Sequence, residues 1–302
     1  MLPIGVTVGD PAGIGPEVVE RAIEETDLRA VIYGAPNVAG PLAARLGVEA
    51  VCTGLEFSGP VGEPTAESGA SSLQALMTAI DHAREGRLSA LCTAPISKEA
   101  LHFAGSKDRG HTEILARELG TGPTAMAFFG EKIRCALVTT HLPLRRAVDA
   151  LTGARVIEVA VLLDAALRAL GEATPKLALA ALNPHAGEAG LLGTEEVEIL
   201  APAVIEARAA GVDLHGPLPA DSVFRRALDN EFSGVVSLYH DQALIPLKLL
   251  GFGESTNVTL GLSVPRTSPD HGTAYDRVGT DTVSAEGMVA ALRWAERLGA
   301  TA

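Results

Sequence analysis

Short runs rich in β-formers alternate with helix-patterned stretches along nearly all of this 302-residue chain, and that alternation leaves few folds open. Residues 4–8, 30–33, 88–92, 132–139, 176–181 and 234–238 read as buried strands. Residues 16–25, 71–85, 154–170, 194–210 and 284–298 read as amphipathic or buried helices, while the Gly-, Pro- and Ser-rich stretch 59–69 reads as a loop inside a lobe. Alternating strand and helix predicts an α/β fold whose mainly parallel sheet is covered on both faces. The length suits one large unit or two lobes sharing a cleft. In such sheets ligands bind beyond the C-terminal ends of the strands.

Composition narrows the class further. Hydrophobic residues make up 47% of the chain and charged residues 20%, enough for a sizeable core. A formal net charge of −13 argues against a nucleic-acid partner, but a local cluster of cations can still hold a phosphorylated small molecule. The three cysteines, Cys52, Cys92 and Cys135, form no CxxC and fit a reducing compartment. Each is flanked by apolar residues and reads as a small buried hydrophobe. The start, Met1-Leu2-Pro3-Ile4-Gly5-Val6, lacks the regions of a signal peptide, and no apolar run approaches the roughly 20 residues that span a bilayer. The expected setting is the cytoplasm, with no membrane partner.

Gly9-Asp10-Pro11-Ala12-Gly13-Ile14-Gly15-Pro16-Glu17 follows the first strand and opens a helix, the place of a dinucleotide-binding turn. The spacing refuses that reading, because Val18 stands where the third glycine belongs, and no P-loop Gly-Lys-Ser/Thr is present. A tight turn approached closely by a substrate remains, with Asp10 either touching the site or capping the helix.

The distribution of histidines carries the chemistry. His141, His185 and His240 each follow a strand directly, in Thr140-His141-Leu142-Pro143, Asn183-Pro184-His185-Ala186-Gly187-Glu188 and Tyr239-His240-Asp241-Gln242. Imidazoles at equivalent ends of a parallel sheet can converge on one ion and leave coordination positions open for catalysis. Gly110-His111-Thr112-Glu113 opens a helix whose N–H groups suit an anion, unless Thr112 is simply its N-cap. Asp221, in Pro219-Ala220-Asp221-Ser222, allows the same two readings, and Lys248 alone reads as a solvated lysine. Arg266-Thr267-Ser268-Pro269-Asp270-His271-Gly272-Thr273 is dense in donors and turn formers.

Taken in order, these segments resemble the 4-hydroxythreonine-4-phosphate dehydrogenase family of vitamin B6 biosynthesis. Gly216-Pro217-Leu218-Pro219-Ala220-Asp221 and Gly251-Phe252-Gly253 continue the series, so the resemblance covers most of the chain. It implies a fold like that of isocitrate and isopropylmalate dehydrogenases. The lobes would be 1–103 with 282–302, and 104–281, with the active site in the cleft and at a homodimer interface. His141, His185 and His240 match the family's metal ligands, and His111, Thr112, Lys248, Asn257 and Arg266 its substrate-binding positions. NAD or NADP would bind without a Rossmann fingerprint. A divalent ion (zinc, cobalt or magnesium) would hold the C3 hydroxyl of 4-phosphohydroxythreonine, and Lys248 with Asp221 would handle protons. Hydride would pass to the nicotinamide, and the resulting β-keto acid would lose CO₂.

Ala274-Tyr275-Asp276-Arg277-Val278-Gly279-Thr280-Asp281 departs from the family's usual apolar pair followed by glycine. That departure bears on cofactor contacts and substrate choice, and a phosphorylated threonate or erythronate is the alternative substrate. Rival classes are a metal-dependent hydrolase or aldolase using the same histidines, a phosphoacyl transferase of related two-lobe fold, and a non-catalytic binding protein.

Overall fold

The first strand, β1 (Ile4–Thr7), is buried along its whole length. The structure is a computed structural model that describes residues 2–108, 110–251, 255–280 and 282–300. After β1 come α1 (Gly15–Thr26), β2 (Ala30–Gly34), α2 (Pro36–Leu46), β3 (Glu49–Cys52), α3 (Ala66–Arg84), β4 (Ala90–Thr93), α4 (Lys98–Phe103) and α5 (His111–Leu119). Pro16 sits in the first turn of α1, where its missing N–H has no helical partner to lose. Next come β5 (Gly120–Phe129), β6 (Arg134–Leu137), α6 (Leu144–Asp149), α7 (Gly153–Ala169), β7 (Lys176–Ala180), α8 (Ala201–Ala209), β8 (Asp213–Leu218), α9 (Ala220–Leu228), β9 (Gly234–Ser237) and α10 (His240–Leu250). The chain ends with β10 (Thr256–Leu262), β11 (Arg266–Pro269) and α11 (Glu286–Gly299).

By contact the chain forms two compact units, Met1–Gly122 with Thr256–Ala302, and Pro123–Ser255. The boundaries expected at 103 and 282 lie inside the first unit. Ile114, Leu115 and Leu119 of α5 share one core with Leu76 and Ile80 of α3, and β11 runs parallel to β4, pairing Arg266 with Leu91.

In the first unit the strand order is β3-β2-β1-β4-β11-β10, parallel except for β10. Alternation along β2 divides its side chains: Ile32 joins Val18, Cys92, Met288 and Leu292, whereas Val31 and Tyr33 join Leu76, Ile80 and Leu91. Helices α1, α2 and α11 therefore pack on one face, and α3 and α5 on the other. In the second unit the order is β5-β6-β9-β7-β8, parallel except for β5. Phe128, Cys135, Leu137, Ala178 and Val235 pack there against Phe224 of α9 and Leu244 of α10.

Several expectations need correction. Cys92 and Cys135 are buried, but Cys52 is exposed, because β3 is an edge strand with only one partner. The stretch 59–69 is not all loop, since α3 begins at Ala66 behind a Thr65–Ser68 capping box. The helix expected over residues 194–210 is present but not regular: a π turn, Glu196–Leu200, runs without a break into α8. Among the described residues no helix is long and apolar enough to cross a membrane.

Gly69 lets α3 touch α4 backbone to backbone, since a Cβ there would overlap the Ala100 carbonyl and stand 2.9 Å from the Leu101 nitrogen. Gly69→Ala is expected to cost roughly 1–3 kcal/mol, read as a lower urea midpoint. Gly153→Ala in the first turn of α7, where a Cβ would stand 3.6 Å from the Ala203 Cβ and the Ile199 carbonyl, is expected to be neutral or to stabilise by up to ~1 kcal/mol.

Candidate active site

In the first unit, β4, β10 and β11 bring together a set of polar groups. Arg266, the first residue of β11, is only 3% exposed. Its Nε and one terminal nitrogen donate to the Thr93 hydroxyl at 3.2 and 2.7 Å, and the other terminal nitrogen donates to Thr259 at 3.3 Å. Thr93 closes β4, and Thr259 is the β10 residue directly opposite Arg266. Among the described residues no carboxylate pairs with this guanidinium. Burial pushes its pKa down from 12.5 to about 10, a cost on the order of 3 kcal/mol.

His111 begins α5, and burial, followed by the charge of Arg266, holds its pKa well below 6.5, so the ring is neutral at pH 7. Its Nε2 is shut off from solvent without a partner among the described residues, as is the Asn257 Oδ1, whose amide can turn end for end. Asn257 lies two residues from Thr259 and so on the same face of β10. Thr112 stands inside the first turn of α5 and is not its N-cap; that position belongs to Gly110, and no side chain caps the helix. Strands β10 and β11 and the start of α5 thus supply a buried cation, a neutral imidazole and an amide whose polar atoms lack partners among the described residues.

Asp10 neither caps α1, whose N-cap is Ile14, nor reaches the surface. Its carboxylate accepts the Ala12 N–H at 2.9 Å, the Ser68 hydroxyl at 3.1 Å and the Tyr275 hydroxyl at 2.8 Å. Burial outweighs these bonds and raises its pKa. It braces the glycine loop internally.

In the second unit the three histidines leave neighbouring strands, His141 after β6, His240 after β9 and His185 after β7. The rings of His141 and His240 stand 5.5 Å apart at 45°. With Thr140, Leu142, Tyr239 and Asp241 they line a cavity of about 230 Å³. The His240 Nδ1 lies 2.7 Å from the Asp241 carboxylate. His185 is not part of this pair. It is exposed on a turn of its own, with Nδ1 2.9 Å from Glu188. Among the described residues no three His, Cys, Asp or Glu side chains stand together as a metal site would require. Lys248 is exposed near the end of α10, and Asp221 is exposed in the first turn of α9, whose N-cap is Pro219. Phe252 and Gly253 of the Gly251-Phe252-Gly253 motif lie outside the described residues, as does Asp281.

Sequence reading missed Thr93 and Thr259, which carry no motif and meet Arg266 only through strand pairing. It also missed Glu196, which accepts the N–H groups of Leu182 and Asn183 ahead of His185. The acidic pair Glu195-Glu196 was its only signal.

The family model described as pyridoxal phosphate biosynthetic protein PdxA matches residues 14–295. The chain belongs to the PdxA family. It is 40% identical over 325 residues to D-threonate 4-phosphate dehydrogenase of Salmonella typhimurium, covering 98% of each chain. It is 41% identical over 319 residues to 4-hydroxythreonine-4-phosphate dehydrogenase of Beijerinckia indica, covering 98% of this chain and 95% of the relative. The crystal structure of 4-hydroxythreonine-4-phosphate dehydrogenase from Klebsiella pneumoniae superposes with a TM-score of 0.90 at 37% identity, covering 99% and 98%. A β-decarboxylating dehydrogenase from Thermococcus kodakarensis, at 16% identity and TM-score 0.52 over 99% and 84% of the chains, shares the fold. This PdxA-family chain is thus a dehydrogenase with the α/β fold expected from its sequence.

Inorganic phosphate is expected to raise the thermal midpoint of the native protein, because an anion offsets the charge of Arg266. Arg266→Met should lose that shift without losing stability in anion-free buffer, since it removes an unpaired buried charge. A second expectation concerns acid. Below pH 6.5 the unfolded chain protonates His111 while the folded protein does not, so this residue removes stability as pH falls, by at most about 1.4 kcal/mol per pH unit. The difference in stability between His111→Asn and the native protein should therefore shift in favour of the variant from pH 6.5 to 5.

Proposed function

We propose that this chain carries out metal-dependent, NAD(P)-linked oxidation of 4-phosphohydroxy-L-threonine at C3. The product, 2-amino-3-oxo-4-phosphooxybutanoate, decarboxylates to 3-amino-2-oxopropyl phosphate on the way to pyridoxal phosphate. The observation that carries this reading is the buried Arg266 guanidinium, held by hydroxyls beside a neutral His111 and lacking a carboxylate. Such a group calls for an anionic substrate, and Arg266, His111, Thr112 and Asn257 gather it.

Three imidazoles are donors of the kind that suits a divalent ion, although within the chain only those of His141 and His240 approach each other. The imidazoles of His141 and His240 face one another, and the Nδ1 atoms of His240 and His185 are engaged by Asp241 and Glu188. Carboxylates at Nδ1 orient the rings and leave Nε2 as the donor. His141, His185 and His240 would hold a divalent ion such as zinc, cobalt or magnesium, which would supply Lewis acidity, and a bound nicotinamide would supply the hydride acceptor. Lys248, with Asp221, handles the hydroxyl proton and helps hold the substrate. Exposed Leu142, Leu144, Leu191, Leu192, Ile245 and Leu249 ride on or beside the segments bearing the three histidines. That supports a homodimer covering this face, with the active site at its interface.

The 40% identity to the D-threonate 4-phosphate enzyme favours a second reading, in which a hydroxyl replaces the substrate's amino group. Metal-stripped and metal-restored protein, offered each substrate with NAD or NADP, decides between them by nicotinamide absorbance and product analysis. Oxidation of 4-phosphohydroxythreonine, dependent on restored metal, is expected. No turnover of either substrate would refute the assignment. His240→Ala should lose more than the roughly 10–100-fold that outer-shell changes cost.

A further inference from the structure

Between β7 and α8, five successive residues, His185 to Ala189, hold φ values of 53°, 55°, 77°, 47° and 57°. Only Gly187 among them lacks the Cβ that makes this region unfavourable for L-residues. A run of this kind persists only where its surroundings over-determine it. Backbone bonds supply part of the restraint: the Ala186 N–H donates to Asn183 at 3.2 Å, and the Leu192 N–H donates to Gly187 at 3.1 Å.

Glu196 supplies the rest. It opens the π turn before α8 and is 3% exposed. One carboxylate oxygen accepts the backbone N–H groups of Leu182 at 2.9 Å and Asn183 at 2.7 Å. The other accepts the Asn183 side-chain amide at 2.9 Å, and a Cβ on Gly187 would stand 2.7 Å from it. The carboxylate is thus fastened to the entrance of the left-handed turn and pressed against its middle. No cation pairs with it among the described residues, so its partners are the N–H groups of this one loop.

We propose that Glu196 is a positioning residue that fixes the turn and thereby presents His185, its Nδ1 held by Glu188, to a divalent ion. The proposal rests on the reading of His185 as an ion ligand. Only a carboxylate places acceptors toward all three N–H groups; the glutamine amide must aim a donor at one of them.

The test is cobalt(II) titration of the metal-free, full-length protein, followed by visible absorbance and calorimetry, with folding checked by circular dichroism. Glu196→Gln is expected to bind cobalt about 10–100-fold more weakly than the native protein, as outer-shell changes do. Excess cobalt should restore its kcat, whereas His185→Ala should stay impaired at any cobalt concentration. Gly187→Ala, which drives a methyl group against the Glu196 carboxylate, should weaken binding similarly and carries the test if Glu196→Gln does not fold. Native affinity in a folded Glu196→Gln or Gly187→Ala protein, alongside weakened binding in His185→Ala, would overturn the positioning role. Native affinity in His185→Ala would instead overturn the ligand reading on which the proposal rests.

Discussion

Parallel pairing of β9 with β6 on one side and β7 on the other decides where every candidate ligand of the second unit emerges. Val235 stands level with both Cys135 and Ala178, so the three strands end together. Their following segments leave one edge of the sheet, each beginning within a few residues of a histidine. A one-residue slip in any pair would exchange the two buried faces of a strand, so the packing of Cys135, Leu137, Ala178, Ala180 and Val235 against α9 and α10 holds the register. The core therefore fixes the chemistry's address. What it leaves open is the path of each loop, and there the strands diverge: the segments after β6 and β9 bring two imidazoles close together, while the segment after β7 first makes a left-handed turn.

Three buried ionic groups show how local donors set the sense of a charge. Asp10 accepts two neutral hydroxyls and one N–H, and burial prevails, raising its pKa. Glu196 feels burial too, but the side-chain and backbone N–H groups of Asn183, with that of Leu182, outweigh it and hold the carboxyl below its ordinary value. Asp10 is also the more deeply desolvated of the two, so depth and donors together decide the sign. Arg266 is the opposite case, a cation given only hydroxyl oxygens. Asp10 and Glu196 are satisfied within the fold and serve it; Arg266 is left wanting an anion.

Strands dense in apolar residues were legible in the sequence because burial on both faces leaves an uninterrupted run, as in Ala30–Gly34 and Lys176–Ala180. The edge strand β3 and the polar β10 and β11 were not, since Thr256, Thr259, Arg266 and Thr267 are buried for reasons of pairing and binding rather than hydropathy. The positions of the three histidines after strands were readable from neighbouring residues alone. Their distances were not, because five left-handed residues in a row depend on Glu196, whose bonds reach 13 and 14 residues back along the chain. Thr112 and Asp221 were ambiguous for a related reason: Thr and Asp are favoured both at N-caps and in the first turn, and only the backbone separates the two.

The segment that departs most from the family pattern turns out to be joined to the motif that fits it best. Tyr275 belongs to that segment, and its hydroxyl donates to Asp10 of the glycine loop. Burial pushes the phenol pKa up to about 12, so it remains a donor over the whole accessible pH range. The Ile14 N–H donates to the Thr273 carbonyl at 3.0 Å, and a Cβ on Gly13 would press on that same oxygen at 2.8 Å. Gly13 is therefore required by contact with the strand-exit loop after β11, a close approach that uses glycine without any phosphate to cradle. The glycine loop and the loop after β11 are thus locked together through a single buried carboxylate and the close approach at Gly13.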